Sequence, residues 1–225
     1  MKHPRRLPVL ICFAFVLLIV PVSAQEFRFE NAIQKYEKQS KETPLPENCT
    51  MFIGSSSWRL WGKQLEEDFK EYDAVNRGFG GSTIPELTFV MDRLYSPYKL
   101  KRVMFFCGGN DVGIGAEPEK VFEDFKTFLA RLREKNPDTL IYFLSISHAP
   151  VREKDWKKTD QVNAMVRELA EKDDKLFYID TLEPMQACID DGGNPWLEDR
   201  LHLNRTGQEI WIRQIKAALE TESKP

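Results

Sequence analysis

The chain contains 225 residues, which is enough for one substantial hydrophobic core but short for two full domains. Hydrophobic residues make up 42% of it and charged residues 30%, with a formal net charge of −3, as is typical of a globular domain. No basic stripe interleaved with aromatic residues occurs, which argues against a nucleic-acid partner. The few histidines and cysteines lack the close spacing of metal ligands, so we expect no metal centre.

The first 24 residues have the pattern of a secretory signal peptide. A basic head with Lys2, Arg5 and Arg6 precedes an apolar run over residues 7–22, and small residues lead up to Ala24. The run has about 16 residues, whereas a membrane-spanning helix needs roughly 20. We therefore expect cleavage after residue 24 and a periplasmic or secreted protein without a stable membrane span. The alternative is an N-terminal membrane anchor.

Residues 25–49 are expected to form an N-terminal arm that packs on the domain, because a short helical pattern there ends in a Pro-Leu-Pro break. The domain itself, residues 50–225, alternates apolar runs with amphipathic helical patterns. The predicted strands are residues 50–53, 74–76, 102–107, 140–146 and 176–179. Helices are predicted after each of them, including residues 159–171 and a last helix opened by a capping box at residues 206–209. This alternation predicts an α/β fold with a parallel sheet covered on both faces.

The first three strands end in turns of glycine and small polar residues. These turns contain Gly-Ser-Ser-Ser at residues 54–57, Gly-Gly-Ser at residues 80–82 and Gly-Gly-Asn at residues 108–110. Because the carboxyl ends of parallel strands share one edge of a sheet, we expect the three turns to lie together. A serine there can act as a nucleophile, and backbone N–H groups with an amide can bind an oxyanion. Taken singly, each turn also fits an ordinary helix cap or bend.

Asp199 and His202 supply the remaining chemistry. A carboxylate three residues before a histidine can hold Nδ1–H and leave Nε2 free to accept a proton. The chain has three histidines, of which His3 lies in the expected signal peptide and His148 is expected to be a satisfied loop residue. A serine, an amide and an oriented histidine together have the composition of an acyl-transfer site.

In this order, the three turns and the Asp-x-x-His segment resemble the SGNH/GDSL hydrolase superfamily, especially its branch similar to platelet-activating-factor acetylhydrolase. The resemblance implies a flavodoxin-like three-layer α/β/α sandwich with a five-stranded parallel sheet. It implies Ser56 as nucleophile, His202 as base and Asp199 as the residue that orients the base. The backbone N–H groups of Ser56 and Gly81 and the side chain of Asn110 would form the oxyanion hole. No metal or organic cofactor is implied.

The chain departs from the family pattern at two positions. Ser55 stands where the family has an acidic residue before the nucleophile, and Ser82 replaces the acidic residue of the second segment. Because Ser55, Ser56 and Ser57 are adjacent, the identity of the nucleophile rests on the register of the motif, which favours Ser56. Both replacements keep a small polar side chain, so we still expect activity. Asp111 is expected to be a structural carboxylate of its loop.

The substrate class is less constrained than the reaction. No insertion is long enough to form a lid or a deep acyl tunnel, which favours an open site and a small acyl group such as acetyl. Trp156 and Trp196 are expected in loops near the active edge, where indole faces could stack on a sugar ring. An acetylated carbohydrate would suit an exported enzyme. A lysophospholipid or other lipid ester is the alternative, as is simple local packing for both tryptophans.

Two other classes of protein fit the sequence less well. A non-catalytic glycan-binding protein on the same fold would be expected to lack at least one of Ser56, Asn110, Asp199 and His202, and all four are present. A flavodoxin-like cofactor binder would need a phosphate-binding loop after the first strand, which residues 54–58 do not provide. The sequence leaves open the oligomeric state and whether Cys49 pairs with Cys188.

Overall fold

The computed structural model describes residues 27–222, so the expected signal peptide lies outside the described residues. A sheet of five parallel strands forms the centre of the fold. The strands are β1 (Cys49–Gly54), β2 (Ala74–Asn76), β3 (Leu100–Phe106), β4 (Leu140–Leu144) and β5 (Leu176–Ile179). They coincide with the predicted apolar runs to within two residues, and the parallel sheet confirms the predicted fold class.

Helices connect the strands and cover the sheet. The helices are α1 (Glu30–Glu42), α2 (Ser56–Trp61), α3 (Lys63–Asp68), α4 (Ile84–Phe89), α5 (Met91–Leu94), α6 (Gly109–Gly113), α7 (Pro118–Lys135), α8 (Trp156–Ala170), α9 (Leu182–Asp190) and α10 (Arg205–Glu222). Two short 3-10 turns cover Lys70–Tyr72 and Pro150–Asp155. Within residues 27–222, no helix is long and apolar enough to cross a membrane.

Side chains of each central strand alternate between two apolar layers. In β1, Met51 and Ile53 pack into the layer shared with α1, α4, α7 and α8, whereas Phe52 packs into the layer shared with α2, α3, α9 and α10. In β3, Phe105 and Met104 divide between the same two layers. Because both faces of the sheet are covered, the strands read as continuous apolar runs rather than as alternating ones. The result is the expected three-layer sandwich.

The order of the strands places the site. The sheet runs β2-β1-β3-β4-β5, so the chain moves outward from β1 in both directions and a crevice opens at the carboxyl ends of β1 and β3. These two ends meet closely at Gly54, where a Cβ atom would lie 2.0 Å from the carbonyl oxygen of Phe106. Glycine is therefore required there, and it brings the start of α2 against the end of β3.

Helix α10 is joined to α2 by aromatic packing. The rings of Trp58 in α2 and Trp211 in α10 meet edge to face with centroids 5.3 Å apart, and Phe106 at the end of β3 contacts both. Both tryptophans are fully buried. The contact couples the helix that begins at Ser56 to the helix that follows the Asp-x-x-His segment.

The N-terminal arm is tied to the domain by charged groups. Arg93 in α5 forms ion pairs with Glu30 and Glu37 of α1 at 2.7 Å each. At the start of the arm, Arg28 binds Glu86 and donates to the carbonyl oxygen of Gly81 at 3.0 Å. The arm thus packs on the domain and reaches the turn after β2. Its last predicted residue, Cys49, already belongs to β1.

Two predicted helix starts were wrong. Helix α10 begins at Arg205, and the side chain of Asn204, rather than a capping box at Thr206, accepts the backbone N–H of Gly207 at 3.1 Å. Helix α8 begins at Trp156, so this tryptophan is the first residue of a helix and not part of a loop.

The cysteines of the described residues are free thiols. Cys49 packs in the layer with α1 and α7, whereas Cys188 packs against the layer with α9 and α10. The two sulfur atoms therefore lie on opposite faces of the sheet, and the pairing that the sequence left open is not formed.

Candidate active site

Ser56, His202 and Asp199 form one chain of hydrogen bonds at the carboxyl edge of the sheet. Ser56 is the first residue of α2, and its Oγ lies 2.8 Å from His202 Nε2. On the other side of the ring, Nδ1 lies 2.6 Å from Asp199 Oδ2. The carboxylate requires the proton on Nδ1, which leaves Nε2 as the acceptor for the serine hydroxyl. A base placed in this way can remove the serine proton.

The loop that carries the pair is held at several points. Asp199 Oδ1 accepts the backbone N–H groups of Leu201 and His202 at 2.9 Å each. Arg200, which follows Asp199, adopts a left-handed conformation with φ of 55°. An isolated antiparallel bridge between Trp196 and Leu203 closes the base of the loop. The hydrogen bonds from His202 and from these backbone groups lower the pKa of Asp199 to about 2. The carboxylate therefore stays ionised at any physiological pH.

Only Ser56 of the three adjacent serines bonds to His202 within the described residues. Ser55 is buried with 6% exposure, and its backbone N–H donates to the carbonyl oxygen of Phe106 at 3.3 Å. All three serines line the cleft. The Ser56 hydroxyl is therefore the one placed for proton transfer to His202.

Asn110 lies in α6, directly after β3, and faces the same cleft. Its Nδ2 donates to the carbonyl oxygen of Ser82 at 2.9 Å, and its Oδ1 accepts from Arg152 at 2.7 Å. Gly81 precedes Ser82 in the neighbouring turn and has a φ of 81°. Gly81 is exposed and is not among the described residues that line the cleft. The structure therefore brings Asn110 to the serine more directly than it does Gly81.

The two tryptophans proposed for substrate binding both line the cleft. Trp196 is 6% exposed and forms a wall of it. Trp156 is half-buried, donates from Nε1 to the carbonyl oxygen of Ala149 at 3.1 Å, and stacks on His148 at 4.7 Å. His148 also bonds to Asp160 at 2.7 Å, so it is the satisfied residue that the sequence indicated.

The cleft is small and adjoins a larger cavity. The volume lined by Ser56, Asn110 and His202 is about 40 Å³. A second cavity of about 240 Å³ shares Ser147 and Trp196 with it. The remaining lining of the second cavity is His148, Thr181, Leu182, Glu183, Met185, Gln186 and Ile189. The confined space that holds Ser56 thus adjoins a roomier one across Ser147 and Trp196.

Two arginines at this edge were not found from the sequence. Arg152 lines the cleft and bonds to Asn110, and Arg28 holds the carbonyl oxygen of Gly81. Arg152 follows the fourth strand, at the edge of the sheet where the site was expected. Its position could therefore have identified it as a candidate site residue. For Arg28 no such signal existed, because its contact joins segments 53 residues apart.

Asp111 has the structural role that the sequence indicated. Its Oδ1 accepts the backbone N–H of Ile84 at 3.0 Å, which fixes the start of α4 beside the turn after β2. The side chain is 3% exposed, and burial raises its pKa to about 6. Asp111 thus connects two of the turns of the site without reaching the cleft.

The Asp111→Asn variant should gain stability relative to the wild type as the pH rises from about 4 to about 8. The folded state keeps a proton on Asp111 up to a pKa of about 6, whereas the unfolded chain releases it near 3.8. This contribution is therefore fully present below about pH 4 and is lost as the pH rises through about 6. A shift of this size corresponds to about 1–3 kcal/mol. Urea unfolding across this range would measure it, and parallel stability curves for the two proteins would contradict it.

Comparisons with known proteins identify the family of the chain. The model of the GDSL-like Lipase/Acylhydrolase family matches residues 47–210, which is most of the chain. No curated protein sequence matches the chain significantly.

Several solved structures share the fold at low sequence identity. A proposed acylhydrolase from Bacteroides fragilis has a TM-score of 0.72 at 17% identity, covering 85% of this chain and 97% of the other. A GDSL-like lipase from Bacteroides thetaiotaomicron has a TM-score of 0.71 at 20% identity, covering 84% and 98%. An acetyl xylan esterase has a TM-score of 0.63 at 21% identity, covering 75% and 98%. The match to the family model shows that the chain belongs to the GDSL-like lipase/acylhydrolase family and is a hydrolase that acts on ester bonds.

Proposed function

We propose that the protein is a serine esterase that removes a short acyl group, acetyl above all, from its substrate. The observation that carries the proposal is the continuous chain of hydrogen bonds from Asp199 through His202 to Ser56 in a cleft that Asn110 also lines. In this reading Ser56 is the nucleophile, His202 the base and Asp199 the residue that orients and charge-balances the base.

The proposed reaction has two steps. His202 Nε2 takes the proton of Ser56 as its Oγ attacks the acyl carbonyl, and the carbonyl oxygen becomes an oxyanion. The Asn110 amide and the backbone N–H groups of Ser56 and Gly81 are proposed to bind that oxyanion, each donor being worth roughly 2.7–4 kcal/mol of barrier. The alcohol leaves with a proton from His202. Water then releases the acyl group from Ser56 by the same route.

The confined part of the cleft supports a short acyl group. The space beside Ser56 is about 40 Å³, which suits a small acyl group such as acetyl better than a long chain. The adjoining cavity of about 240 Å³ is large enough for a sugar ring as the alcohol. Its aromatic wall at Trp196 and its polar side chains Glu183 and Gln186 suit a carbohydrate. The fold shared with an acetyl xylan esterase is consistent with such a substrate.

Acyl length provides the direct test. The ratio kcat/KM for p-nitrophenyl esters should fall by about 10- to 100-fold from acetate to octanoate, because additional methylenes overfill the confined part of the cleft. Steady-state hydrolysis by the chain from residue 25 onward would measure it. A rise in kcat/KM with chain length would instead support the alternative, a lysophospholipase-like lipid esterase. A folded protein whose serine does not react with a fluorophosphonate would support the glycan-binding alternative.

We also propose that residues 1–24 direct export and are removed, so that the enzyme works in the periplasm or outside the cell. The proposal rests on the basic and apolar pattern of that segment. The intact mass of the exported protein would test it, since a chain that begins at Gln25 is expected and a chain that retains the segment would indicate a membrane anchor.

A further inference from the structure

Arg152 lines the cleft, and the reaction described above does not use it. It lies in the 3-10 turn that follows β4, and its Nη2 donates to Asn110 Oδ1 at 2.7 Å. At the other end of the same amide, Nδ2 donates to the carbonyl oxygen of Ser82 at 2.9 Å. A guanidinium can only donate and a carbonyl oxygen can only accept, so one orientation of the amide satisfies both neighbours. The second N–H of Nδ2 remains for another acceptor.

The charge of Arg152 is not paired with a carboxylate. Among residues 27–222 no ion pair within 4.0 Å involves it, and Asp155 attracts it only from a greater distance. Arg93 and Arg133, by contrast, pair with the carboxylates of Glu30 and Asp173. The buried Arg77 also lacks a carboxylate partner, but it bonds to Ser40 and to its neighbouring backbone carbonyl and lies away from the cleft. A half-buried, unpaired cation is unfavourable in the resting protein. It would be favoured, however, by negative charge that forms nearby during the reaction.

We propose that Arg152 is a positioning residue that acts through Asn110. It fixes the amide with Nδ2 towards the reacting carbonyl and strengthens this donor by withdrawing electron density from Oδ1. The inference rests on the proposed function, because it assigns Asn110 to the oxyanion. It adds a group that the motif of the family does not identify.

The charges of the reaction agree with this role. Before attack, the charged groups beside the serine are the Asp199 carboxylate and the Arg152 guanidinium. When the Ser56 proton moves to His202 and the carbonyl π electrons move to its oxygen, an imidazolium and an oxyanion form. Asp199 faces the imidazolium, and Arg152 reaches the oxyanion through the amide of Asn110. The imidazolium is thus bonded directly to the opposite charge of Asp199, and the oxyanion has the opposite charge of Arg152 one hydrogen-bonded group away.

A purely structural role for Arg152 has to be distinguished from this one. Its side chain packs over α6, where Nη1 would lie 3.2 Å from a Cβ atom at Gly109 and the guanidinium carbon 3.5 Å from one at Gly113. Removing it could therefore disturb the segment that carries Asn110. A structural loss would lower activity whether or not the Asn110 amide is present, whereas action through the amide requires the amide.

A double-mutant cycle separates the two roles. Arg152→Met should lower kcat for p-nitrophenyl acetate by about 10- to 100-fold, the worth of a charge-assisted hydrogen bond, with KM changed less than about threefold. Asn110→Ala should lower kcat by about 100- to 1,000-fold. In the Asn110→Ala background, Arg152→Met should cost less than about threefold more. Arg152→Lys should recover part of the loss, because it keeps one charged donor.

The controls decide between the outcomes. Arg131→Met removes an arginine that binds Thr88 and Asp92 away from the cleft, and it should leave kcat unchanged. Thermal unfolding of each variant shows whether it is folded. The proposal would be overturned if Arg152→Met lowered kcat equally in the wild type and in the Asn110→Ala variant. It would also be overturned if Arg152→Met raised KM and left kcat unchanged. Full activity of Ser56→Ala would overturn the proposed function itself, and this result is independent of the Arg152 cycle.

Discussion

The Ser56→Ala variant is expected to hydrolyse p-nitrophenyl acetate about 10⁴- to 10⁶-fold more slowly than the wild type, since loss of the nucleophile in serine hydrolases has effects of this order. Without Oγ, no acyl-enzyme can form, and His202 has no hydroxyl to deprotonate. Single-turnover and steady-state kinetics would measure the loss. The variant should remain folded, because the substitution removes one half-buried hydroxyl at the first position of α2 and no core contact.

The neighbouring serines give matched controls for this experiment. Ser57→Ala removes an equivalent hydroxyl from the same turn, but Ser57 makes no bond to His202 and kcat should change by less than about tenfold. Ser55→Ala should likewise retain activity. If Ser56→Ala were active while either control was inactive, the register of the motif would be wrong by one residue. Fluorophosphonate labelling followed by peptide mapping would then identify the reactive serine.

The His202→Ala variant should lose activity to a similar degree, about 10⁴- to 10⁶-fold in kcat. His202 Nε2 is the acceptor that lies 2.8 Å from Ser56 Oγ. The ring also couples the serine to Asp199, so its removal leaves the hydroxyl without a base and the carboxylate without its partner. Initial rates between about pH 6 and 9 would measure the effect, and added imidazole should restore part of the rate by replacing the missing base.

His148 provides the control for this second prediction. It is the other histidine within residues 27–222, and its stacking on Trp156 and bond to Asp160 place it at the rim of the cleft. His148→Ala should keep most of the activity towards a small ester. If His202→Ala kept its activity and His148→Ala lost it, the base would be His148 rather than His202. That result would remove the main support for the proposed mechanism.

The sequence was most informative where the signal is local. Each strand is a short apolar run, because helices cover both faces of the sheet and side chains that point to either face are buried. The turns after β1 and β3 were likewise visible, since glycine and small polar residues follow each apolar run at residues 54–57 and 108–110. Ser56 could be placed from the same segment with the register of the motif. These features need no knowledge of distant residues.

Contacts between distant segments were not visible. Arg152 meets Asn110 from 42 residues away, and nothing in either segment reveals which arginine the amide will face. Helix boundaries failed for a related reason. Asn204 and Thr206 are both residue types that favour the N-cap of a helix. The position of the loop that ends at Leu203 decides between them, because it lets Asn204 accept the free N–H of Gly207 at the start of α10. Where the local sequence allows two helix starts, the surrounding fold thus determines which one forms.

The contact between Trp58 and Trp211 also has a consequence for the order of events during synthesis. Ser56 leaves the ribosome 146 residues before His202, and the loop of His202 is anchored by the helix that carries Trp211. A nascent chain with a finished sheet would still lack its base until this helix docks on Trp58. Hydrolysis therefore requires that this helix has docked, which makes activity a reporter of complete folding.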